Sequence, residues 1–238
     1  MSIAPRRVAM LGMGGLGCPA ALALVEESRA RQIPLELLLV DDDRVDLSNL
    51  ARQTLYGPSD VGEWKVHAAT RALQKLVPDA PVEVVPCVAR FDESTVDNIL
   101  NGVFLILDGT DSFETRFFAN DRALAANLPL VHGAALGWIG QLTSILPGGP
   151  CLRCLFEGPP PPGSVPACRD AGVIGPLCAL VGAAMASEAM ALLSGEPLRA
   201  RGTLLRWDAL AGTSRAIPIP RDPVCPACAL SQTEQTSS

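Results

Sequence analysis

Short aliphatic runs alternate with longer stretches of mixed polarity through the first half of the chain. The runs at 7–11, 35–40, 82–87 and 103–107 are rich in Val, Leu and Ile and have the length of buried strands, with a fifth expected at 130–132. Between them, 19–31, 65–76, 93–100 and 114–127 read as helices. Regular alternation of this kind predicts parallel βαβ units with helices on both faces of a Rossmann-like sheet. Ligands of such sheets bind beyond the carboxyl ends of the strands, and Gly12, Asp41 and the segment 108–111 fall at those ends.

The second half is less regular. A strand is expected at 139–146, followed by the proline-rich loop at 158–163, which can be neither helix nor central strand. The long apolar stretch 174–193 predicts one helix, and 203–208 and 214–219 predict an antiparallel extension of the sheet. One domain over 1–230 is expected, with a disordered polar tail at 231–238.

Composition narrows the partners. A net charge of −6 with no basic run argues against a nucleic-acid partner, since phosphate-backbone binding needs clustered Lys and Arg. Hydrophobic residues make up 48% of the chain, but the longest apolar stretch is interrupted by Ser187 and Glu188 and reads as an Ala-rich core helix, not a membrane span. The apolar run after Arg7 is too short for a signal peptide, so a cytoplasmic protein is expected, with its eight cysteines kept reduced.

The loop Gly12-Met13-Gly14-Gly15-Leu16-Gly17 joins a strand to a helix, which lets backbone N–H groups and a helix N-terminus approach a phosphate. Glycines alone do not choose between NAD and ATP, and Asp41 after the second strand can hold ribose hydroxyls in either case. Downstream cations and a carboxylate tip the choice: Arg52 and Lys65 can neutralise a triphosphate, and Asp111 can hold a Mg²⁺ that hydride transfer does not need. Each residue has a plainer reading. Lys65 could be a solvated first-turn lysine, Arg52 a surface ion-pair partner, and Asp111 a helix N-cap three residues before Glu114.

Cys151/Cys154 and Cys225/Cys228 each have the C-x₂-C spacing that brings two thiolates to one Zn²⁺, and two pairs complete a closed, structural tetrahedral site. A redox dithiol is the alternative, and the wide separation of the pairs means that the fold has to bring them together. Cys18, Cys87 and Cys178 read as small buried residues. Cys168 follows the proline run beside Arg169, so an exposed loop thiol is expected there, either a nucleophile or a bystander. His67 and His132 receive no role.

With these residues in place, the chain resembles the ThiF/MoeB/HesA group of the ubiquitin-activating-enzyme-like superfamily. The likeness runs from about Arg7 to Cys228. It rests on the Gly12 to Gly17 loop, Asp41-x-Asp43 leading to Ser48-Asn49-Leu50-x-Arg52-Gln53, Val61-Gly62-x-x-Lys65, Asp108-x-Thr110-Asp111 with Arg116, the segment 171–176 and both cysteine pairs. The resemblance implies ATP binding by Gly12, Gly14, Gly15, Gly17, Asp41, Asp43, Asn49, Arg52, Gln53 and Lys65, with Asp41 on the ribose, Asn49, Arg52 and Lys65 on the phosphates, and Asp111 on Mg²⁺. It implies zinc on the four paired cysteines, and it sets Cys168 at the position used in the thiamine branch for a covalent link to the carrier.

The implied activity is adenylation of the C-terminal Gly-Gly carboxylate of a small β-grasp sulfur-carrier protein, preparing it for a thiocarboxylate in a thiamine- or molybdopterin-type pathway. A homodimer is implied, as is an arginine reaching the neighbouring subunit's ATP from a helical segment ahead of the first strand. Here 1–6 precede that strand, which leaves Arg6 and Arg7 as candidate substitutes. Ser112 stands where Asn is common, and with no rhodanese-like stretch after Cys228 a separate persulfide donor is expected. The competing readings are an NAD-dependent oxidoreductase and a noncatalytic carrier-binding module.

Overall fold

The computed structural model describes residues 5–161 and 172–229. Cys168, Arg169 and the 231–238 tail lie outside them. Among the described residues, eight strands form one sheet in the order β3-β2-β1-β4-β5-β6-β7-β8. The first five, β1 (Arg6–Leu11), β2 (Leu35–Val40), β3 (Val82–Cys87), β4 (Val103–Asp108) and β5 (Leu130–Leu136), run parallel. The last three, β6 (Ile139–Ile145), β7 (Thr203–Asp208) and β8 (Thr213–Pro218), add on antiparallel, as the sequence predicts for the final two. Pro86 is tolerated in β3 because β3 is an edge strand, where a missing N–H leaves no ladder bond unmade.

Helices cover both faces. One layer holds α1 (Gly17–Arg31), α2 (Lys65–Leu76) and the long helix α6 (Gly175–Ser194). The other holds α3 (Val96–Leu100), α4 (Phe113–Ala125) and the single turn α5 (Leu152–Leu155), together with the paired cysteines. Although α6 is long and apolar enough to cross a membrane, Val181, Met185, Ala186, Ala189 and Met190 are fully or almost fully buried in the core. It crosses the first turn of α1 so closely that a Cβ on Gly182 would stand 2.8 Å from the Ala20 nitrogen and 2.9 Å from the Leu16 carbonyl oxygen. The backbone-to-backbone contact fixes α1, and with it the loop that precedes α1.

Two boundaries differ from the sequence reading for local reasons. The helix expected from residue 93 starts at Val96, because Asp92 accepts from the Ser94 N–H and Thr95 Oγ1 accepts from the Asp92 N–H, a side-chain turn that competes with helix. β5 runs on to Leu136, since Gly137 turns the chain with φ of 56° and β6 returns along the whole strand. Cys87, expected to be buried, is half-exposed at the end of the β3 edge.

Candidate functional site

In the strand order 3-2-1-4-5 the crossover direction reverses between β1 and β4, which opens a crevice at their carboxyl ends. A cleft of about 470 Å³ occupies it. Its walls include Gly12, Gly14, Gly15, Asp41, Asp43, Asn49, Arg52, Gln53, Lys65 and Asp111, so residues spread over a hundred positions of sequence converge on one space. Gly17 stands just behind, at the start of α1, where a Cβ would fall 1.9 Å from the Gly12 carbonyl oxygen; no other residue fits. Gly14 is different. The nearest atom to a Cβ there is Gln53 Nε2 at 3.9 Å, so the protein's own packing leaves room and the bare backbone serves whatever approaches from the cleft. The first turn of α1 carries no acidic residue, which leaves its partial positive charge uncompensated.

Asp41 ties the glycine loop to the second strand. Its Oδ2 accepts the Met13 N–H at 2.6 Å and its Oδ1 accepts the Asp43 N–H at 2.8 Å. Tyr56 Oη donates to the Met13 carbonyl at 2.8 Å, so Met13 is held from both sides. Burial pushes the Asp41 carboxyl above its ordinary range, against the lowering effect of Lys65 and of the two N–H donors.

Lys65 reaches the site through a short ladder. Val45 N–H donates to the Glu63 carbonyl, Gly62 N–H to the Val45 carbonyl and Lys65 N–H to the Asp43 carbonyl, while the Arg44 guanidinium stacks on Trp64 at 3.8 Å. The ladder brings the first residue of α2 back beside the acids that follow β2. Lys65 Nζ lies 2.6 Å from Asp43 Oδ2 and 4.0 Å from Asp41 Oδ1. Its side chain is buried, which corrects the plainer reading of a solvated lysine. Arg52 donates Nη2 to Asn49 Oδ1 and has no ion pair among the described residues, so the surface-pair reading does not hold for it either. Gln53 is buried, and its Oε1 has no hydrogen-bond partner among the described residues.

Asp111 is exposed at the cleft mouth. It does not cap α4: Ser112 is the N-cap and its hydroxyl accepts the Thr115 N–H at 3.4 Å, leaving the Asp111 carboxylate free of that duty. Behind it Asp108 is fully buried. Burial alone would raise its carboxyl, but the His132 hydrogen bond and charge, Arg116 and the Thr110 donors outweigh that and hold it below the ordinary range. Arg6 and Arg7 sit at the opposite end of β1 from the cleft. Arg6 stacks on Phe104 at 4.2 Å and donates to the Leu193 carbonyl, and Arg7 pairs with Glu36 at 2.7 Å and donates to the Asn101 carbonyl. Both side chains have partners within the chain, and Arg6 is exposed beside them.

Sequence reasoning missed part of the cleft. Ala135 from β5, Val173 ahead of α6 and Cys178 in the first turn of α6 also line it. A parallel bridge between Gly137 and Val173 draws that segment across the strand ends. Cys178, read as a core residue, is buried yet stands 3.3 Å from where a Gly15 Cβ would be, a proximity no local pattern encodes.

The four paired cysteines meet in the second helical layer. Sγ–Sγ distances are 3.7 Å for Cys151 to Cys225 and 3.5 Å for Cys154 to Cys228, and all four sulfurs lie within 4.8 Å of one another. A tetrahedral ion with Zn–S bonds of about 2.3 Å sets its sulfurs about 3.8 Å apart, so the donor set fits zinc. Burial pushes the Cys151 thiol up, whereas for Cys225 backbone and side-chain hydrogen bonds overcome the burial and bring it down to about 7. The first pair is docked on α4, with Leu152 N–H donating to Asn120 Oδ1 at 2.9 Å and Arg153 forming two hydrogen bonds to Asp121 at 2.8 and 2.7 Å.

A Rossmann-like sheet with a glycine loop, an acid-paired buried lysine and a carboxylate at the switch point defines an α/β protein of the Rossmann-like class with a polar crevice at its strand ends. The ThiF family model matches residues 2–227, and the chain belongs to the ThiF family. It is 42% identical over 222 residues to the SAMP-activating enzyme E1 of Haloferax volcanii, covering 93% of this chain and 80% of that protein. It is likewise 42% identical over 227 residues to the sulfur carrier protein adenylyltransferase of Thermus thermophilus, covering 93% of this chain and 81% of that one. The crystal structure of E. coli MccB with ATP has the same fold, with a TM-score of 0.77 at 20% identity over 94% of this chain and 66% of that one.

The cysteine cluster yields the first prediction. Purified protein is expected to contain about one zinc per chain, and Cys225→Ser is expected to lose the metal and lower the melting temperature together, because a closed site contributes its binding energy to folding. Unchanged stability in a metal-free preparation would overturn the structural assignment.

Proposed function

We propose that the chain is an adenylyltransferase that uses ATP to activate the C-terminal Gly-Gly carboxylate of a small β-grasp sulfur-carrier protein. The observation that carries this reading is the convergence of the glycine loop, Asp41, Arg52, Lys65 and Asp111 on one cleft at the switch point. Membership of the ThiF family and the names of the two relatives at 42% identity support the same reaction.

A carboxylate is a poor acyl donor because oxide is a poor leaving group. Attack of the carboxylate oxygen on the α-phosphorus of ATP forms an O–P bond and breaks the bond to pyrophosphate, leaving an acyl adenylate whose leaving group is AMP. The glycine loop N–H groups and the N-terminus of α1 receive phosphate oxygens, and Asp41 accepts from the ribose hydroxyls with the lone pairs that Met13 and Asp43 leave unused. Gln53 adds a buried amide whose oxygen awaits a donor. Lys65 is preorganised: held by Asp43 in a buried setting, it exchanges that partner for phosphate oxygens and stabilises the charge that builds on them. Arg52, fixed on Asn49, supplies a second cation. Asp111 would hold Mg²⁺, whose charge neutralises the phosphates when bound. A zinc held by the four cysteines would leave no coordination position open for substrate and would fasten the C-terminal segment to α4.

The acyl adenylate then passes to sulfur from a separate persulfide donor, and the enzyme works as a cytoplasmic homodimer. The apolar part of the cleft wall formed by Ala135, Val173 and Cys178 is proposed to receive the extended Gly-Gly tail. Cys168, beyond the described residues, is proposed as the thiol that first displaces AMP to form a thioester, which the persulfide sulfur then attacks, releasing the Cys168 thiol. A noncatalytic carrier-binding module would bind the same partner but release no pyrophosphate, so the assay separates the two.

The direct measurement is carrier-dependent exchange of labelled pyrophosphate into ATP. Lys65→Ala and Asp111→Ala are each expected to slow it by about a hundredfold or more. Exchange at the wild-type rate in Asp111→Ala would remove this mechanism. Nucleotide affinity carries a pH signature from Asp41. Because burial raises its carboxyl, the acceptor is fully present only above that raised value, so ATP affinity is expected to fall with decreasing pH before an ordinary aspartate would protonate. Titrations of ATP at several pH values should show this slope in the wild type and a flat, weaker profile in Asp41→Asn. For Cys168, alanine substitution is expected to preserve exchange while abolishing any carrier–enzyme adduct in intact-mass spectra taken without reductant. Wild-type thiocarboxylate formation by that variant would make the thiol a bystander.

A further inference from the structure

Behind the exposed Asp111 lies a buried polar chain that the mechanism above does not use. Asp108, the last residue of β4, accepts the Thr110 N–H at 3.0 Å and the Thr110 hydroxyl at 2.7 Å on Oδ1. Its Oδ2 lies 2.7 Å from Nδ1 of His132, the residue directly opposite on β5. From the other side Arg116 donates Nε and Nη2 to the Thr110 carbonyl at 3.0 and 2.8 Å. Every polar group of Thr110 is therefore committed, and Thr110 is the residue immediately before Asp111.

An ionised carboxylate has no hydrogen to give, so the 2.7 Å contact makes His132 the donor through Nδ1–H. This contact decides how Asp108 is used. A fully buried carboxylate with one oxygen unpaired is costly, and it would turn toward any available donor; with Oδ2 satisfied by His132, Oδ1 stays on Thr110. His132 itself is buried on β5 and does not line the cleft. Ordinary strand pairing already joins β4 to β5, and an aliphatic side chain would fill the position without burying an ion.

We propose that His132 is a positioning residue for the nucleotide–metal site: by donating to Asp108 it locks Thr110, and through Thr110 it sets the carboxylate of Asp111 at the mouth of the cleft. The inference rests on the reading of Asp111 as the group that takes Mg²⁺ with ATP. Outer partners of metal-binding carboxylates act in this way, orienting a ligand they do not replace.

The test uses the zinc-loaded full-length protein and calorimetric titration of ATP with Mg²⁺ and, separately, with EDTA. His132→Leu keeps the approximate volume and removes the donor; His132→Asn places an amide N–H where Nδ1–H was. His132→Leu is expected to raise the ATP Kd in Mg²⁺ by about tenfold while the Kd in EDTA and the zinc content stay at wild-type values, and His132→Asn to recover most of the loss. Thr110→Val, which breaks the same chain in the loop itself, should show the same Mg²⁺-selective weakening and gives the answer if His132→Leu does not fold. The proposal is overturned if these variants weaken ATP equally with and without Mg²⁺, or if Asn is no better than Leu. Asp111→Asn is measured alongside. If it loses the Mg²⁺-dependent affinity while His132→Leu and Thr110→Val keep it, the positioning role alone is wrong; if it loses nothing, the role of Asp111 has failed and this inference falls with it.

Discussion

Backbone meets backbone at the cleft end of the sheet, and the rest of the site depends on it. A Cβ on Gly17 would overlap the Gly12 carbonyl at 1.9 Å, one on Gly12 would stand 3.2 Å from the Thr110 nitrogen, and one on Gly109 3.3 Å from the Gly17 nitrogen. The loop after β1, the start of α1 and the loop after β4 are thus packed as one layer. Interiors of this density do not absorb an added methyl without moving a backbone. Because α6 presses on the first turn of α1 through Gly182, the position of that layer is set by a helix more than 150 residues further along the chain.

The charges around this layer follow from its rigidity. Asp41 is held in place by two backbone N–H groups, one of them from the glycine loop, and remains there although burial disfavours its ionised form. Lys65 is buried beside it and is neutralised mainly by Asp43, which is itself well exposed. That division suits a binding site. A buried cation with a buried partner would be hard to separate, whereas an exposed carboxylate can be re-solvated when a phosphate takes its place.

The second helical layer has a different problem, since α5 is a single turn and the segment that follows β8 has few large apolar residues to bury. The four sulfurs, gathered within 4.8 Å, are arranged so that one bound ion would cross-link the two segments. Asn120 and Asp121 of α4 anchor the first pair, and Arg221 donates to the Cys228 carbonyl at 2.7 Å to anchor the second. The cluster lies on the opposite face of the sheet from α1 and α6, and α4 is the element shared by both sites: its first turns line the cleft and its Asn120 and Asp121 hold the cysteine turn.

The amino-acid sequence by itself determined what local patterns can carry. Aliphatic runs of strand length, a glycine loop between strand and helix, an acid at the end of β2 and two C-x₂-C pairs specify the alternating sheet, the nucleotide crevice and the donor set for a metal, because each is fixed by residues near one another in the chain. Distance in the chain decided the rest. Whether Lys65 was solvated or buried depended on a ladder that folds it back on Asp43, and whether Asp111 capped a helix depended on Ser112 doing so first. Cys178 came to the glycine loop because α6 crosses α1, Arg6 and Arg7 were drawn to the far end of the sheet by Phe104 and Glu36, and His132 gained a buried partner through strand register alone. None of these has a periodicity or spacing to betray it, since burial and pairing across a sheet are properties of the packed chain and not of any segment in it.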